Sequence, residues 1–260
     1  MIELVDSHAH IDVAEFDPDR EAVVERARVA GVRRQVVPAI HADGWPGLRD
    51  ACARFEGLHP AYGLHPVYLD RHRDAHLDQL REWIERERPV AVGECGLDHF
   101  VEDLDPARQA ALFDAQLRIA RDFDLPVIVH ARHAVDAVIA AIRRVGALRG
   151  VVHSFSGSRQ QAETLWREGF LVGLGGPVTY PRANRLRTLA ATMPLEFLVL
   201  ETDAPDQPDA EARGARNEPA RLVRVLETIA TLRGVPATDV ARATTANAER
   251  VFRLRPSPSP

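Results

Sequence analysis

The stretch Pro126-Val127-Ile128-Val129-His130 is a short run of mainly β-branched residues that ends in a histidine. A run of this length and composition is typical of a strand that is buried on both faces. Apolar runs of the same kind recur along the chain and predict eight strands, at residues 2–6, 34–38, 58–63, 89–93, 126–130, 150–153, 169–174 and 197–201. Five of these eight runs end in, or lead directly into, a residue type that binds divalent metals.

Helical patterns lie between most of these runs, which predicts βαβ units and a parallel sheet. The clearest helical patterns run from Asp19 to Ala30, Leu77 to Glu87, Pro106 to Phe123 and Arg159 to Glu168. Eight such units in 260 residues predict the α/β class and a single-domain (β/α)8 TIM barrel over residues 1–254. Residues 255–260, which contain only Arg, Pro and Ser, are predicted to form a disordered C-terminal tail.

The composition argues against several classes of protein. A net charge of −5 and an isoelectric point near 6.1 argue against a sequence-independent coat for long nucleic acid, which needs a broad basic face. Two cysteines, Cys52 and Cys95, are too few for a disulfide framework. No apolar run approaches the ~18 residues that span a bilayer, and the first residues lack the basic segment of a secretory signal. We therefore expect a cytoplasmic protein with no membrane association.

The pair His8-Ala9-His10 follows the first strand. Residues i and i+2 of an extended segment point the same way, so both imidazoles can reach one metal ion. A hydrogen-bonded pair of core histidines is the alternative. Because a parallel barrel gathers the ends of its strands on one rim, metal-binding residues that are distant in sequence are expected to meet there.

Glu94 is the candidate bridge between two metal ions. Two cations about 3.5–4 Å apart require a shared anion, and the chain has no lysine that carbamylation could convert into one. His130 and His153, each at the end of a strand, are predicted to complete the shell of the second metal. Hydrogen bonds from Glu94 to loop amides, and two core histidines, are the alternatives. Cys95 is interpreted as a packed small residue, because thiolates suit zinc and the rest of the site is rich in nitrogen and oxygen.

Asp203 and Glu201 follow the last strand and point to the same side of it. Asp203 is predicted to bind the first metal and to accept a proton from the attacking water. Glu201 is predicted to orient a ligating histidine from behind, and a place in a polar layer inside the barrel is its alternative.

A second group of residues is expected to hold the substrate. His65, at the end of the third strand, is predicted to contact a phosphate or a leaving group, and we count it as catalytic together with Asp203 and Glu94. The other candidates for substrate binding are Arg132, Ser154, Ser156 and Arg216. A solvated-loop or capping role is the alternative for these four. The remaining histidines are predicted to lie at the surface, namely His41, His59, His72, His76 and His99.

Several motifs occur in a defined order along the chain. They are Asp6-Ser7-His8-Ala9-His10, Gly63-Leu64-His65-Pro66, Gly93-Glu94-Cys95-Gly96-Leu97-Asp98, Pro126-Val127-Ile128-Val129-His130, His153-Ser154-Phe155-Ser156-Gly157-Ser158, Leu200-Glu201-Thr202-Asp203-Ala204-Pro205, Arg216-Asn217-Glu218-Pro219 and Asn247-Ala248-Glu249-Arg250-Val251-Phe252. Together they resemble the TatD family of metal-dependent hydrolases, whose fold is an amidohydrolase-like barrel. The resemblance extends from residue 1 to about residue 253.

This resemblance implies a deoxyribonuclease-type phosphodiesterase that uses two divalent cations, Mg²⁺, Mn²⁺ or Zn²⁺, with DNA as its substrate. It implies one metal held by His8, His10, Glu94 and Asp203, and a second held by Glu94, His130 and His153. The chain departs from the family pattern at Asp206-Gln207-Pro208, where an aromatic residue and a proline-containing turn are usual, and at His133, where Asp is usual. Both departures are expected on the substrate side of the site.

We therefore expect metal-assisted hydrolysis of a phosphodiester, with no obligate protein partner. Two other functions fit the same residues. The first is hydrolysis of a carbonyl substrate such as an amide, a lactone or an aminoacyl ester, because the same metals can polarise a carbonyl. The second is a non-catalytic metal-binding or regulatory protein built on an inherited barrel.

Overall fold

Eight parallel strands form the centre of the computed structural model, which describes residues 3–254. The strands are β1 (Leu4–Asp6), β2 (Val32–Pro38), β3 (Leu58–Tyr62), β4 (Ala91–Asp98), β5 (Val127–Arg132), β6 (Gly150–Val152), β7 (Phe170–Leu174) and β8 (Leu198–Leu200). They are hydrogen-bonded in chain order from β1 to β8. The Ser7 amide donates to the Leu200 carbonyl at 2.9 Å and so joins the two ends of the sheet. The predicted (β/α)8 TIM barrel is confirmed.

The helices are α1 (Arg20–Val29), α2 (Trp45–Arg54), α3 (Ala75–Glu87), α4 (Pro106–Asp122), α5 (Val135–Val145), α6 (Arg159–Arg167), α7 (Asn184–Thr192), α8 (Leu222–Arg233) and α9 (Ala237–Phe252). The first seven alternate with the strands, as βαβ units require. Within residues 3–254, none of these helices has both the length and the apolar character that crossing a membrane would need. The predicted C-terminal tail at 255–260 lies outside the described residues.

The layer inside the barrel sets which side chains reach the rim. Each strand contributes one residue to this layer, namely Val5, Val36, Ala61, Ala91, Ile128, Val151, Leu171 and Val199. Helix α9 packs against the layer through Val251 and Phe252. Because side chains alternate along a strand, the inward positions nearer the C-terminal ends are those two residues further on. They include His130 after Ile128, His153 after Val151 and Glu201 after Val199.

Strand β4 interrupts this alternation at one place. The expectation that it ends at residue 93 is wrong, because it continues to Asp98. Its pairing with β5 moves from Val92 opposite Val127 to Cys95 opposite Val129, so β4 carries one extra residue between these two pairs. The extra residue lets Cys95 pack in the core outside the barrel, as interpreted from its thiol, while Glu94 faces the inside.

Two of the histidines predicted at the surface, His72 and His76, are buried, so this prediction is wrong for them. The His72 Nε2–H donates to the His65 carbonyl at 2.8 Å, and His76 Nδ1 accepts from the Arg73 amide at 3.3 Å. Both rings thus tie the segment after β3 to itself, because hydrogen bonds to the backbone satisfy polar groups that burial removes from water. His99 is exposed, as predicted, and His41 and His59 are half-buried.

The start of α4 gives a test of local stability. The Asp105 carboxylate accepts hydrogen bonds from the Ala107 and Arg108 amides, which is the N-cap arrangement that the Asp-Pro pair predicts. Asp105→Ala should lower the free energy of unfolding by about 1 kcal/mol, measured by urea denaturation followed by circular dichroism. Asp74 occupies the same position before α3 without a side-chain cap. Asp74→Ala is the matched control, and an equal loss in both variants would contradict the capping role.

Candidate metal centre

A cavity of about 680 Å³ opens at the C-terminal ends of the strands. Its lining contains six of the residues predicted to bind metal or react, namely His10, His65, Glu94, His130, His153 and Asp203. His8 lies beneath them with no exposed surface. The sequence therefore placed these side chains on the correct rim, and the distances among them define two groups of donor atoms.

The first group surrounds one carboxylate oxygen of Glu94. Its Oε2 lies 3.1 Å from His8 Nε2 and 3.5 Å from His10 Nε2. The Oδ1 of Asp203 lies 3.4 Å from His8 Nε2 and 3.7 Å from His10 Nε2. These four side chains are the set that the family resemblance assigns to one metal.

The second group surrounds the other oxygen of the same carboxylate. Glu94 Oε1 lies 3.0 Å from His130 Nδ1 and 2.8 Å from His153 Nε2. His65 Nε2 joins this group at 3.1 Å from Glu94 Oε1. A single carboxylate therefore faces two clusters of nitrogen donors, one through each oxygen, as a bridging ligand would.

The atoms themselves fit a pair of cations. Glu94 Oε2 is buried and has no hydrogen-bond partner among residues 3–254, which is costly unless a positive group satisfies it. His8 Nε2 and His10 Nε2 face each other at 3.1 Å. Two ligands of one tetrahedral ion lie about 3.4 Å apart when each metal–ligand bond is about 2.1 Å. Imidazole nitrogen and carboxylate oxygen together suit Zn²⁺ or Mn²⁺.

The charges support the same interpretation. Burial alone would raise the pKa of Glu94, but His153, His65 and His8 together lower it well below its usual value. Burial lowers the pKa of His8 to about 4, helped by the nearby charge of His153. Glu94 is therefore a carboxylate and His8 a neutral imidazole at neutral pH, and these are the protonation states that bind metal.

Two other histidines carry protons that a cation would displace. Burial lowers the pKa of His10, but the neighbouring Glu94 carboxylate outweighs this effect and raises the value to about 9. Burial also lowers the pKa of His153, but the carboxylates of Glu94, Asp203 and Glu201 outweigh this effect and raise the value to about 10. Without metal, these protons neutralise the negative charge at the centre, so binding of cations should release protons.

Hydrogen bonds on the far side of the rings fix which nitrogen faces the centre. The Pro38 carbonyl lies 3.1 Å from His10 Nδ1, so Nδ1 keeps its proton and Nε2 is the nitrogen at which a cation would displace one. The Val67 amide donates to His65 Nδ1 at 3.2 Å. His65 Nδ1 is therefore unprotonated, and in the neutral ring Nε2 carries the hydrogen. This contact makes His65 a hydrogen-bond donor towards the centre and not a metal ligand.

Asp98 orients His130 in the same way. Its Oδ2 lies 2.8 Å from His130 Nε2, while its Oδ1 accepts from the Phe100 and Val101 amides at 2.9 Å. His130 therefore donates to Asp98 through Nε2 and directs Nδ1 towards the second donor group, around Glu94 Oε1. Burial alone would raise the pKa of Asp98. The hydrogen bonds with His130 and the two amides outweigh this effect and lower the pKa below its usual value, so the carboxylate stays charged.

Gln207 holds Asp203 in place. Its Nε2 donates to Asp203 Oδ2 at 2.5 Å, and its Oε1 accepts from the Ser154 hydroxyl at 2.8 Å. Asp203 and Ser154 both have positive φ angles, 58° and 45°. Such backbone conformations are uncommon outside glycine and concentrate at functional sites. These two hydrogen bonds, from Ser154 to Gln207 and from Gln207 to Asp203, leave Asp203 Oδ1 pointing towards His8 and His10.

Glu201 lies behind the centre, fully buried. Its Oε1 accepts from the Ser154 amide and lies 4.0 Å from His153 Nδ1, which is longer than a hydrogen bond. The rings of His8 and His153 stack above it with centroids 3.9 Å apart. Burial raises the pKa of Glu201 to about 8. The role of Glu201 in orienting a histidine stays a prediction. The burial of Glu201 is consistent with the alternative, a place in a polar layer inside the barrel.

The predicted substrate-binding residues divide into two sets. Arg132, Ser154 and Ser156 line the cavity. Arg216 does not line it, because its guanidinium pairs with Asp19 at 2.8 Å and lies over the Phe16 ring. The structure therefore gives Arg216 a role in tying the loop after β8 to the segment before α1.

The sequence motifs did not single out Asp98 and Gln207 as functional. Asp98 had a usable signal, because it lies four residues after Glu94 in one strand and so shares its face. Gln207 had none, since its contact with Asp203 depends on how the loop after β8 folds back.

The comparisons with known proteins identify the family. The family model described as TatD-related DNase matches residues 5–253, and the chain belongs to this family. An uncharacterised metal-dependent hydrolase of Escherichia coli K12, YjjV, is 42% identical over an alignment of 254 positions, which covers 96% of this chain and 98% of that protein. The crystal structure of YjjV, described as a TatD homologue, matches with a TM-score of 0.94 and 40% identity and covers 98% of this chain and 99% of that one.

A more distant relative has a named activity. The 3′-5′ ssDNA/RNA exonuclease TatD of Erwinia tasmaniensis is 34% identical over an alignment of 264 positions, which covers 96% of this chain and all of that protein. Family membership and the buried donor clusters together make this chain a metal-dependent hydrolase of the TatD family.

The bridging position of Glu94 gives a test of metal content. Glu94→Ala removes an oxygen from each donor group, so bound Mn²⁺ should fall from about two ions per chain towards one or none. Elemental analysis of the purified protein measures this. Glu15 lines the same cavity outside both donor groups, so Glu15→Ala is the matched control and should keep two ions. Two ions retained by Glu94→Ala would reject the bridge.

Asp98→Asn tests how His130 is oriented. In either orientation of the amide, its NH2 faces N–H donors, from His130 on one side or from Phe100 and Val101 on the other. The affinity for Mn²⁺ should therefore fall about 10- to 100-fold in competition with a chelator. Asp50, exposed on α2, gives the control Asp50→Asn, and equal affinities in the two variants would rule out this role of Asp98.

Proposed function

We propose that this TatD-family chain is a divalent-metal-dependent deoxyribonuclease, a phosphodiesterase that acts on DNA. The observation that carries the proposal is the Glu94 carboxylate, whose two oxygens each face a separate cluster of histidine nitrogens. Paired cations sharing one carboxylate are typical of enzymes that cleave phosphate esters. The exonuclease activity named for the Erwinia relative supports the same class of substrate.

His8, His10, Glu94 and Asp203 would hold one cation, and Glu94, His130 and His153 the other. When bound, the pair would lower the pKa of a water molecule and neutralise charge on the phosphate. Glu94 is fixed as a carboxylate by its histidine neighbours. The orienting contacts at Pro38 and Asp98 keep the lone pairs of His10 and His130 directed inwards.

Asp203 is the residue placed to accept the proton of the attacking water. Its Oδ1 faces the first donor group, and its Oδ2 is held by Gln207. One oxygen is thus anchored while the other borders the cavity, and this is the geometry that a general base needs. The Gln207 contact also prevents rotation of the carboxylate away from the centre.

His65 is placed to stabilise the leaving group. Because the Val67 amide occupies Nδ1, the hydrogen is on Nε2, which points to Glu94 Oε1 at 3.1 Å. Burial lowers the pKa of His65, so the ring is neutral at neutral pH. A neutral N–H donor at the cavity wall can hydrogen-bond to a phosphate oxygen or a leaving oxygen without displacing a metal ligand.

A substrate panel tests the proposal. The Mn²⁺-supplemented protein should hydrolyse single- or double-stranded oligodeoxynucleotides and bis-p-nitrophenyl phosphate faster than lactone or amide substrates. Asp203→Asn should lower kcat on DNA about 10²- to 10⁴-fold, as loss of a general base does, and Asp50→Asn should leave it unchanged. Faster turnover of the carbonyl compounds would reject the nuclease assignment. Unchanged kcat in Asp203→Asn would reject the catalytic role.

A further inference from the structure

We propose that Phe100 and Arg132, on the rim of the cavity, form a binding subsite for a nucleobase of the substrate. The inference rests on the proposed function and adds which chemical group of the substrate is held, and where. It uses residues that neither donor group contains. We call Phe100 and Arg132 the aromatic rim.

Exposed aromatic side chains concentrate at this cavity. Within residues 3–254, the large apolar side chains that are exposed are those of Val29, Tyr68 and Phe100. Tyr68 lines the cavity, and Phe100, which is 50% exposed, lies against the Arg132 side chain that lines it. Single exposed apolar residues are ordinary, but two aromatic rings at one opening are typical of a ligand site.

Arg132 supplies a positive charge on this rim. Its guanidinium carbon lies 3.7 Å from the centre of the Phe100 ring. Its side chain has no ion pair within the described part of the chain, whereas that of Arg216 is held by Asp19. The His133 ring also contacts Phe100, with the two ring centres 5.1 Å apart and the ring planes nearly perpendicular. A planar guanidinium beside an exposed ring can stack on a base and bind phosphate oxygens.

The aromatic rim directly adjoins the metal centre. Arg132 follows His130 by two residues on β5, about 6.6 Å along the strand, and pairs in register with Asp98. Asp98 in turn accepts from the Phe100 amide and holds His130. The residues that position a metal ligand therefore also position the aromatic rim, so a base bound there lies next to a phosphate at the centre.

The opposite side of the cavity is acidic. Glu15, after β1, and Asp206, after β8, line that side. In an eight-strand barrel ordered by sequence, β5 lies across from β1. Two carboxylates repel phosphate oxygens, whereas Arg132 attracts them. This charge difference favours entry of a nucleotide over the aromatic rim.

Kinetics on two matched substrates test the subsite. The substrates are a short oligothymidylate and an abasic oligonucleotide of equal length, both with Mn²⁺-loaded protein. Phe100→Ala should raise KM for the oligothymidylate about tenfold more than KM for the abasic strand, because stacking on an aromatic side chain is lost. Phe100→Trp should restore the wild-type ratio of the two KM values. Val29→Ala, on the remote helix α1, is the control and should leave both KM values unchanged.

Binding measured without turnover gives an independent readout. In Phe100→Trp, thymidine 5′-monophosphate should quench indole fluorescence more than in the wild-type protein, whose Trp45, Trp83 and Trp166 are the background. Equal rises in KM for the two substrates in Phe100→Ala, or equal quenching in the two proteins, would overturn the subsite and leave the nuclease proposal intact. If the wild-type protein cleaves no phosphodiester, the nuclease proposal fails, and the quenching result alone decides the subsite.

Discussion

One buried carboxylate, Glu94, holds the candidate site together. It is removed from water, so its charge must be balanced by neighbours, and the histidines around it supply that balance through both oxygens. The protonation of those histidines depends on it in turn, since Glu94 raises the pKa of His10 and His153. Cations can take the place of the protons at the same atoms. The centre is thus a set of coupled charges in which no member is independent of Glu94.

The barrel supplies the precision that this coupling needs. Strands β5, β6 and β8 carry His130, His153 and Glu201 two residues beyond an apolar residue of the inner layer, so the packed layer beneath fixes the height of these side chains. Strand β4 requires one extra residue to bring Glu94 inside. The neighbouring Cys95 then remains in the outer core, where burial raises the pKa of its thiol and keeps it protonated. A thiol in this state does not compete for metal.

Polar groups behind the histidines determine which ring nitrogen of each faces the cavity. Pro38, Val67 and Asp98 each bind one ring nitrogen of a histidine and so assign the other. These contacts give the two rings different roles, because the Val67 amide leaves a hydrogen on Nε2 of His65, whereas the Pro38 carbonyl leaves Nε2 of His10 as the atom that could bind a metal ion. Asp98 further connects the centre to Phe100, so catalysis and base binding would share one support. A change in these polar groups should therefore affect the centre without touching a ligand.

The amino-acid pattern is enough to predict the barrel, because eight apolar runs alternating with helical patterns have few other arrangements. It also predicts the rim on which the motif residues meet. Other features depend on how individual segments fold. The extra residue in β4 breaks the period of two on which strand prediction depends. The burial of His72 and His76 follows from how the segment between β3 and α3 packs, together with the first turn of α3. The contact of Arg216 with Asp19 joins segments 197 residues apart. In contrast, Gln207 holds Asp203 from four residues away and the Val67 amide sets the tautomer of His65 from two residues away. Neither kind of contact leaves a periodic signal in the sequence, since each depends on the exact course of a loop.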